Sequence, residues 1–198
     1  MNKGRLEAFS DGVIAIVITI TVLLIQPPNG NDWNALKEIF PLISIYFVSF
    51  IMVGTYWVNH HHLLQITQQV NGKILWANLI YLFTISFFPV MTAWVGQSHF
   101  SKLPTIVYVI TNLINVFAFI ILEHTILKSH ECEIIKNAAA NSKKEFYTVL
   151  LILSALICAF FEPVKFMAYL LLLIMSSLWI IPDLRFKKVY HKINNKEE

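Results

Sequence analysis

Residues Arg5-Leu6-Glu7-Ala8-Phe9-Ser10-Asp11-Gly12 lead straight into Val13-Ile14-Ala15-Ile16-Val17-Ile18-Thr19-Ile20-Thr21-Val22-Leu23-Leu24-Ile25, and the run stops at Gln26-Pro27-Pro28. Its length matches the roughly 20 residues that a helix needs to cross a bilayer. It lacks a small-residue cleavage site and is too long for the apolar region of a signal peptide, so it reads as a retained first span. Three charges sit at its mouth. Beside hydrocarbon, charges pair with one another or serve function. On a helix Glu7 and Asp11 share one face while Arg5 and Phe9 lie on another. Asp11 therefore needs a partner, for which Arg5 or a histidine at the end of the second span is expected.

The helical wheel of this span has two different faces. Ala8, Gly12, Ala15, Ile16, Thr19 and Leu23 fall on one; Ile14, Val17, Ile18, Thr21 and Ile25 fall on the other. The first face is narrow and mostly small. Small residues let membrane helices approach closely, which makes a packing seam. The same pattern also suits a pore lining, with Ile16 and Leu23 closing an axis and Thr19 offering hydroxyls between them. The wheel alone does not separate the two.

The remaining chain repeats the membrane signal. Of 198 residues, 57% are hydrophobic and 14% charged. A soluble domain carries about 25% charged residues, so the apolar excess belongs to a lipid-facing surface. Six apolar runs emerge: Leu6–Ile25, Ile39–Asn59, Ile74–Val95, Thr105–Leu127, Phe146–Phe161 and Val164–Ile181. Together they make one domain over residues 1–198. The last two are short, joined at Glu162-Pro163, and read as two spans or as a re-entrant hairpin. Pro27-Pro28, Pro41, Pro104, Pro163 and Pro182 mark boundaries; Pro89, inside the third run, predicts a kink.

Twelve of the 15 basic residues fall at one side of this topology, the exceptions being Lys37, Lys102 and Lys165. The positive-inside rule then puts both termini in the cytoplasm. Trp33 and Trp94 fall near the outer boundary, and Trp57, Trp76 and Trp179 near the inner one. The Cys132–Lys144 stretch suggests a short cytoplasmic helix. Cys132 and Cys158 fit neither a disulfide nor a metal spacing.

Trp57-Val58-Asn59-His60-His61-His62 ends the second run. Adjacent histidines point to different sides of a helix, whereas zinc sites use spaced ligands and haem needs axial histidines deep in facing helices. An interfacial polar cap is the simpler reading. Asn112 and Asn115, spaced i,i+3, suit interhelical hydrogen bonds; Glu123 and His124 are expected to be solvated. No span centre carries Asp, Glu, Lys or Arg, which counts against a titratable pump relay and against a hydrolytic membrane site. There is no Thr-Val-Gly-Tyr-Gly filter and no nucleotide-binding glycine loop.

Arg5-x-x-x-Phe9-Ser10-Asp11 at the start of a first span resembles the Arg-x-x-x-Phe-Ser-Asp signature of the transmembrane protein 175 family of potassium channels. Gly12 to Thr19 and Tyr56-Trp57-Val58-Asn59-His60-His61 extend the resemblance, as do the span count and the orientation. The resemblance implies an all-α membrane protein, six helices per subunit, assembled as a homotetramer around a central pore without a carbonyl filter. It implies a constriction of Ile16 and Leu23 with Ile20 beside them, a polar ring of Thr19 linked to selectivity, and a structural motif of Arg5, Phe9, Ser10 and Asp11. Trp57, Asn59, His60 and His61 form the polar cluster at the cytoplasmic end. The expected partners are the bilayer, potassium ions and copies of the chain, with no nucleic acid, cofactor or metal, in a bacterial or archaeal plasma membrane. The rival reading is a secondary transporter or membrane redox protein built on His60, His61 and His62.

Overall fold

The computed structural model describes residues 2–67, 69–129 and 143–180, and these form helices with no strand among them. In chain order the helices are α1 (Lys3–Leu23), α2 (Trp33–Gln65), α3 (Gly72–Ile85), α4 (Phe88–Gln97), α5 (Lys102–Lys128), α6 (Lys143–Phe160) and α7 (Lys165–Ile180). The stretch expected to form a cytoplasmic helix lies mostly outside the described residues, as do Cys132, Ile181, Pro182 and the basic tail.

Helices α3 and α4 are one rod with a break. α3 ends at Ile85, and α4 restarts at Phe88 with Pro89 in its first turn. Proline has no N–H to donate, so the backbone ladder is interrupted where the kink was expected. This leaves six rods running back and forth. Five of them are long and apolar enough to cross a membrane. The sixth, α6, has 18 residues and opens with Lys143, Lys144 and Glu145.

Two boundary expectations need correction. The second span is not 39–59 but Trp33–Gln65, and Pro41 lies inside it rather than at its edge. The helix starts early because the Asp32 side chain accepts the Ala35 N–H at 2.9 Å, which satisfies an otherwise orphaned donor. It passes through Pro41, as membrane helices tolerate when neighbours support the backbone. It ends late because His60 is fully buried within the bundle instead of closing the span at its rim.

The α6–α7 pair is a hairpin that packs along the bundle. Near its turn Tyr169 donates to Thr105, in the first turn of α5, at 2.8 Å. At the other end Asn59, near the close of α2, donates to the Trp179 carbonyl at 3.1 Å. Trp179 is accordingly buried, with its indole N–H on Thr148 at 2.7 Å, and does not sit in an aromatic belt.

The core contains hydroxyls and amides as well as apolar side chains. Ser49 lies 2.7 Å from Thr92 and 2.8 Å from Tyr108, joining α2, α4 and α5. Tyr56 donates to Asn112 at 3.0 Å, and Thr84 donates to Asn115 at 2.7 Å. Both asparagines thus serve interhelical hydrogen bonds, as expected. Glu123 does not behave as expected: it is buried, whereas neighbouring His124 is exposed. On α5 the carboxylate faces inward, one residue beyond the fully buried Leu122. Helices α2 and α4 approach closely at Gly96, where an added Cβ would come within 2.7 Å of the Leu42 Cα.

Candidate functional site: the exposed face of α1 and its anchor

Helix α1 packs against α2, α3 and α4. Inside the subunit it buries Leu6, Ser10, Ile14, Val17 and Thr21, a stripe spaced three and four residues apart. The face of small residues points the other way. Ala8, Gly12, Ala15, Ile16, Thr19 and Leu23 are all exposed, with Leu23 at 66% and Ile16 at 58%. Ile20 is also exposed. A Cβ placed on Gly12 would meet nothing within 4 Å. Glycine inside a helix costs about 0.5–1 kcal/mol relative to alanine, and nothing within the subunit repays that cost.

Thr19 has its hydroxyl proton committed, donating to the Ala15 carbonyl at 2.9 Å. Its oxygen lone pairs therefore remain on the exposed face, where they can accept hydrogen bonds or ligate a cation. Ile16 and Leu23 flank it, about 10 Å apart along the helix at 1.5 Å per residue.

The signature residues divide between two jobs. Ser10 is fully buried and accepts from Asn78 Nδ2 at 3.0 Å. The Asn78 Oδ1 must then accept, so the His60 Nε2 that lies 2.7 Å away carries a proton and donates it. His60 stacks on Tyr81 with ring centroids 5.2 Å apart. This three-residue chain ties α1 to α3 and α2. Asp11 takes a different partner from those expected. The Trp57 indole N–H donates to its Oδ1 at 2.8 Å; neither Arg5 nor a histidine does so. Arg5 and Phe9 are exposed, which follows from their lying on another side of the helix from Asp11. Lys3 completes the anchor by donating to the Gln65 carbonyl at 2.6 Å, at the end of α2.

The histidine cluster is split, with His60 apart from His61 and His62, whose ring centroids lie 5.7 Å from each other. His60 points into the core, while His61 stacks on Trp57 and lies 3.0 Å from Gln65 Nε2. His62 stays partly exposed. Asn59 donates to the carbonyls of Thr55 and Trp179, serving α2–α7 packing. Among the described residues no three His, Cys, Asp or Glu side chains converge as metal ligands. Sequence reasoning missed Asn78. A lone asparagine within an apolar span was the available signal, since such residues hydrogen-bond across helices.

A family model described as "Endosomal/lysosomal potassium channel TMEM175" matches residues 5–89, which contain α2, α3 and all but the first two residues of α1. A potassium channel of Chryseobacterium sp. (strain P1-3) is 43% identical over 189 residues, covering 95% of this chain and 97% of that protein. The chain belongs to the TMEM175 family. A TMEM175 relative from Homo sapiens, an endosomal/lysosomal proton channel, is 41% identical over 75 residues, covering 32% of this chain and 15% of that protein. The crystal structure of a lysosomal potassium-selective channel TMEM175 homolog from Chamaesiphon minutus shares the fold. Its TM-score is 0.77 at 24% identity, covering 90% of this chain and 96% of that one. The helical membrane architecture of this TMEM175 chain is therefore the one expected from its first span.

Proposed function

We propose that the chain forms a potassium-permeable channel by assembling symmetrically around its first helices, as a homotetramer of single six-span units with both termini cytoplasmic. It is not an enzyme, because the family is one of ion channels. The observation that carries the reading is the division of α1. Leu6, Ser10, Ile14, Val17 and Thr21 bury inward, while the face bearing Ile16, Thr19 and Leu23 is left without a partner inside the subunit. One helix cannot enclose a pore, whereas repeated copies around an axis can. Ile16 and Leu23, with Ile20 beside them, then form apolar rings. Such rings lose water because they offer no hydrogen bonds, so an ion passing them sheds part of its hydration. The Thr19 oxygens between the rings replace part of that loss.

The transporter or redox alternative has less support, since His60 is buried and engaged by Asn78 while His61 and His62 lie against Gln65. The deciding experiment is recording from purified protein in planar bilayers under asymmetric potassium and sodium. The current should reverse near the potassium equilibrium potential set by the gradient. Leu23→Asn and Ile16→Asn should raise conductance and weaken discrimination between the two ions. A control substitution on the outward-facing α6 position Ile157, 63% exposed, should leave permeation unchanged. Absence of current, or currents indifferent to Ile16 and Leu23, refutes the assignment.

A further inference from the structure

At the basic end of the bundle an open cleft of about 630 Å³ lies between α3 and α5. Its walls are Asn71, Gly72, Lys73, Thr125, Lys128 and Ser129. Asn71 pins the two rims together, donating from Nδ2 to Ser129 Oγ at 3.2 Å. Its Oδ1 accepts the Ile74 N–H at 3.0 Å, so the first turn of α3 already has its cap. The hydroxyl protons of Thr125 and Ser129 are also committed, to the carbonyls of Ile121 and Thr125. The charge of the cleft therefore comes from Lys73 and Lys128. Both are exposed, and neither takes part in the ion pairs seen among the described residues, Lys3–Glu7 and Lys165–Glu162.

The cleft opens at a recognisable depth. Trp76, one turn along α3 from Lys73, is 70% exposed, and exposed indoles sit at the headgroup level of a membrane. From there exposed apolar side chains continue into the membrane, Ile80 and Phe83 on α3 and Ile121 and Phe117 on α5. A ligand here meets two ammonium groups at its head and hydrocarbon-like surface along its tail. We propose that this cleft binds an anionic phospholipid, with the headgroup phosphate between Lys73 and Lys128 and an acyl chain along the exposed flank of α3 and α5. Basic pockets between membrane helices on the cytoplasmic side recognise such headgroups.

The test is native mass spectrometry of the purified full-length protein titrated with phosphatidylglycerol and, separately, phosphatidylcholine. It needs no current, so it stands or falls apart from the channel reading. Phosphatidylglycerol should be retained preferentially. Lys73→Gln and Lys128→Gln should each weaken its binding about fivefold, and the double variant about 30-fold. Lys73→Arg with Lys128→Arg should retain it. Lys37→Gln with Lys102→Gln makes the same charge change at the opposite end and should have no effect. Soluble glycerol 3-phosphate at equal concentration should not displace the lipid. The proposal is overturned if the double glutamine variant binds within twofold of the parent, or if the Lys37/Lys102 variant weakens binding equally. Displacement by glycerol 3-phosphate at parity overturns the lipid assignment in favour of a free phosphate.

Discussion

Asn78→Leu should loosen the grip on α1 more than any other substitution of similar size. The Asn78 amide holds both ends of the chain from His60 to Ser10, at 2.7 and 3.0 Å, and all three residues are fully buried. Leucine has the same γ-branched four-heavy-atom skeleton as asparagine and is bulkier, so no cavity is left. What is lost is an acceptor for the His60 N–H and a donor to Ser10. A buried polar group left unsatisfied costs about 1–3 kcal/mol. Interhelical hydrogen bonds in membranes measure lower, about 0.6 kcal/mol on average and about 1.7 at most, because the lipid-embedded unfolded state finds other partners. Two such bonds place the expected loss at about 1–3 kcal/mol. Ser10→Ala alone removes one bond and should cost about 0.5–1.5 kcal/mol by the same reckoning. Once Asn78 is leucine, Ser10 has no bond left to lose, so the double variant should cost less than the sum by about 0.5–1.5 kcal/mol. The assay is unfolding in mixed micelles by sodium dodecyl sulfate, followed by circular dichroism, for the parent, both single variants and the double. Additivity within about 0.3 kcal/mol, or an Asn78→Leu midpoint equal to that of the parent, would refute the claim that this chain fastens α1.

Gly96→Ala should destabilise by about 1–3 kcal/mol through overpacking, because the new methyl would overlap Leu42; the same unfolding assay should show no partial recovery with Leu42→Val, since the Leu42 backbone is also in the way. Gly12→Ala should leave subunit unfolding unchanged or stabilise it by about 0.5–1 kcal/mol. Any loss in that variant must arise between copies, which size-exclusion chromatography with light scattering would reveal as a change of oligomeric mass. Trp57→Phe deletes the indole donor to Asp11 and should cost about 1 kcal/mol at this partly exposed site. Asp11→Asn keeps an acceptor in place and should cost less; a larger loss for Asp11→Asn than for Trp57→Phe would mean that Asp11 has a more important charged partner.

Much of the architecture was legible because a bilayer enforces it. Backbone groups in hydrocarbon must be paired within the segment, so long apolar runs become helices, and the runs read around α1, α3–α4 and α5 follow directly. The break at Pro89 was equally readable, since a missing N–H is a property of the residue itself. Pro41 was not, because whether a proline ends a helix or is carried through depends on what supports the surrounding backbone, here α4 pressed close at Gly96. The end of α2 was misplaced for a similar reason. Histidine looks interfacial in a sequence, but His60 is buried once Asn78 and Tyr81 receive it.

The two faces of α1 were written in its sequence, since helical periodicity alone separates Ala8, Gly12, Ala15, Ile16, Thr19 and Leu23 from Ile14, Val17 and Thr21. Which face turns inward was not, because both are apolar and membrane helices lack a hydrophobic drive to distinguish them. Tertiary structure decided it through short-range hydrogen bonds: Ser10 to Asn78, and Asp11 to the Trp57 indole. The partner of Asp11 also lay beyond sequence reasoning. Charge complementarity favoured Arg5, but the two side chains leave α1 in different directions, and distance and direction are what a hydrogen bond selects.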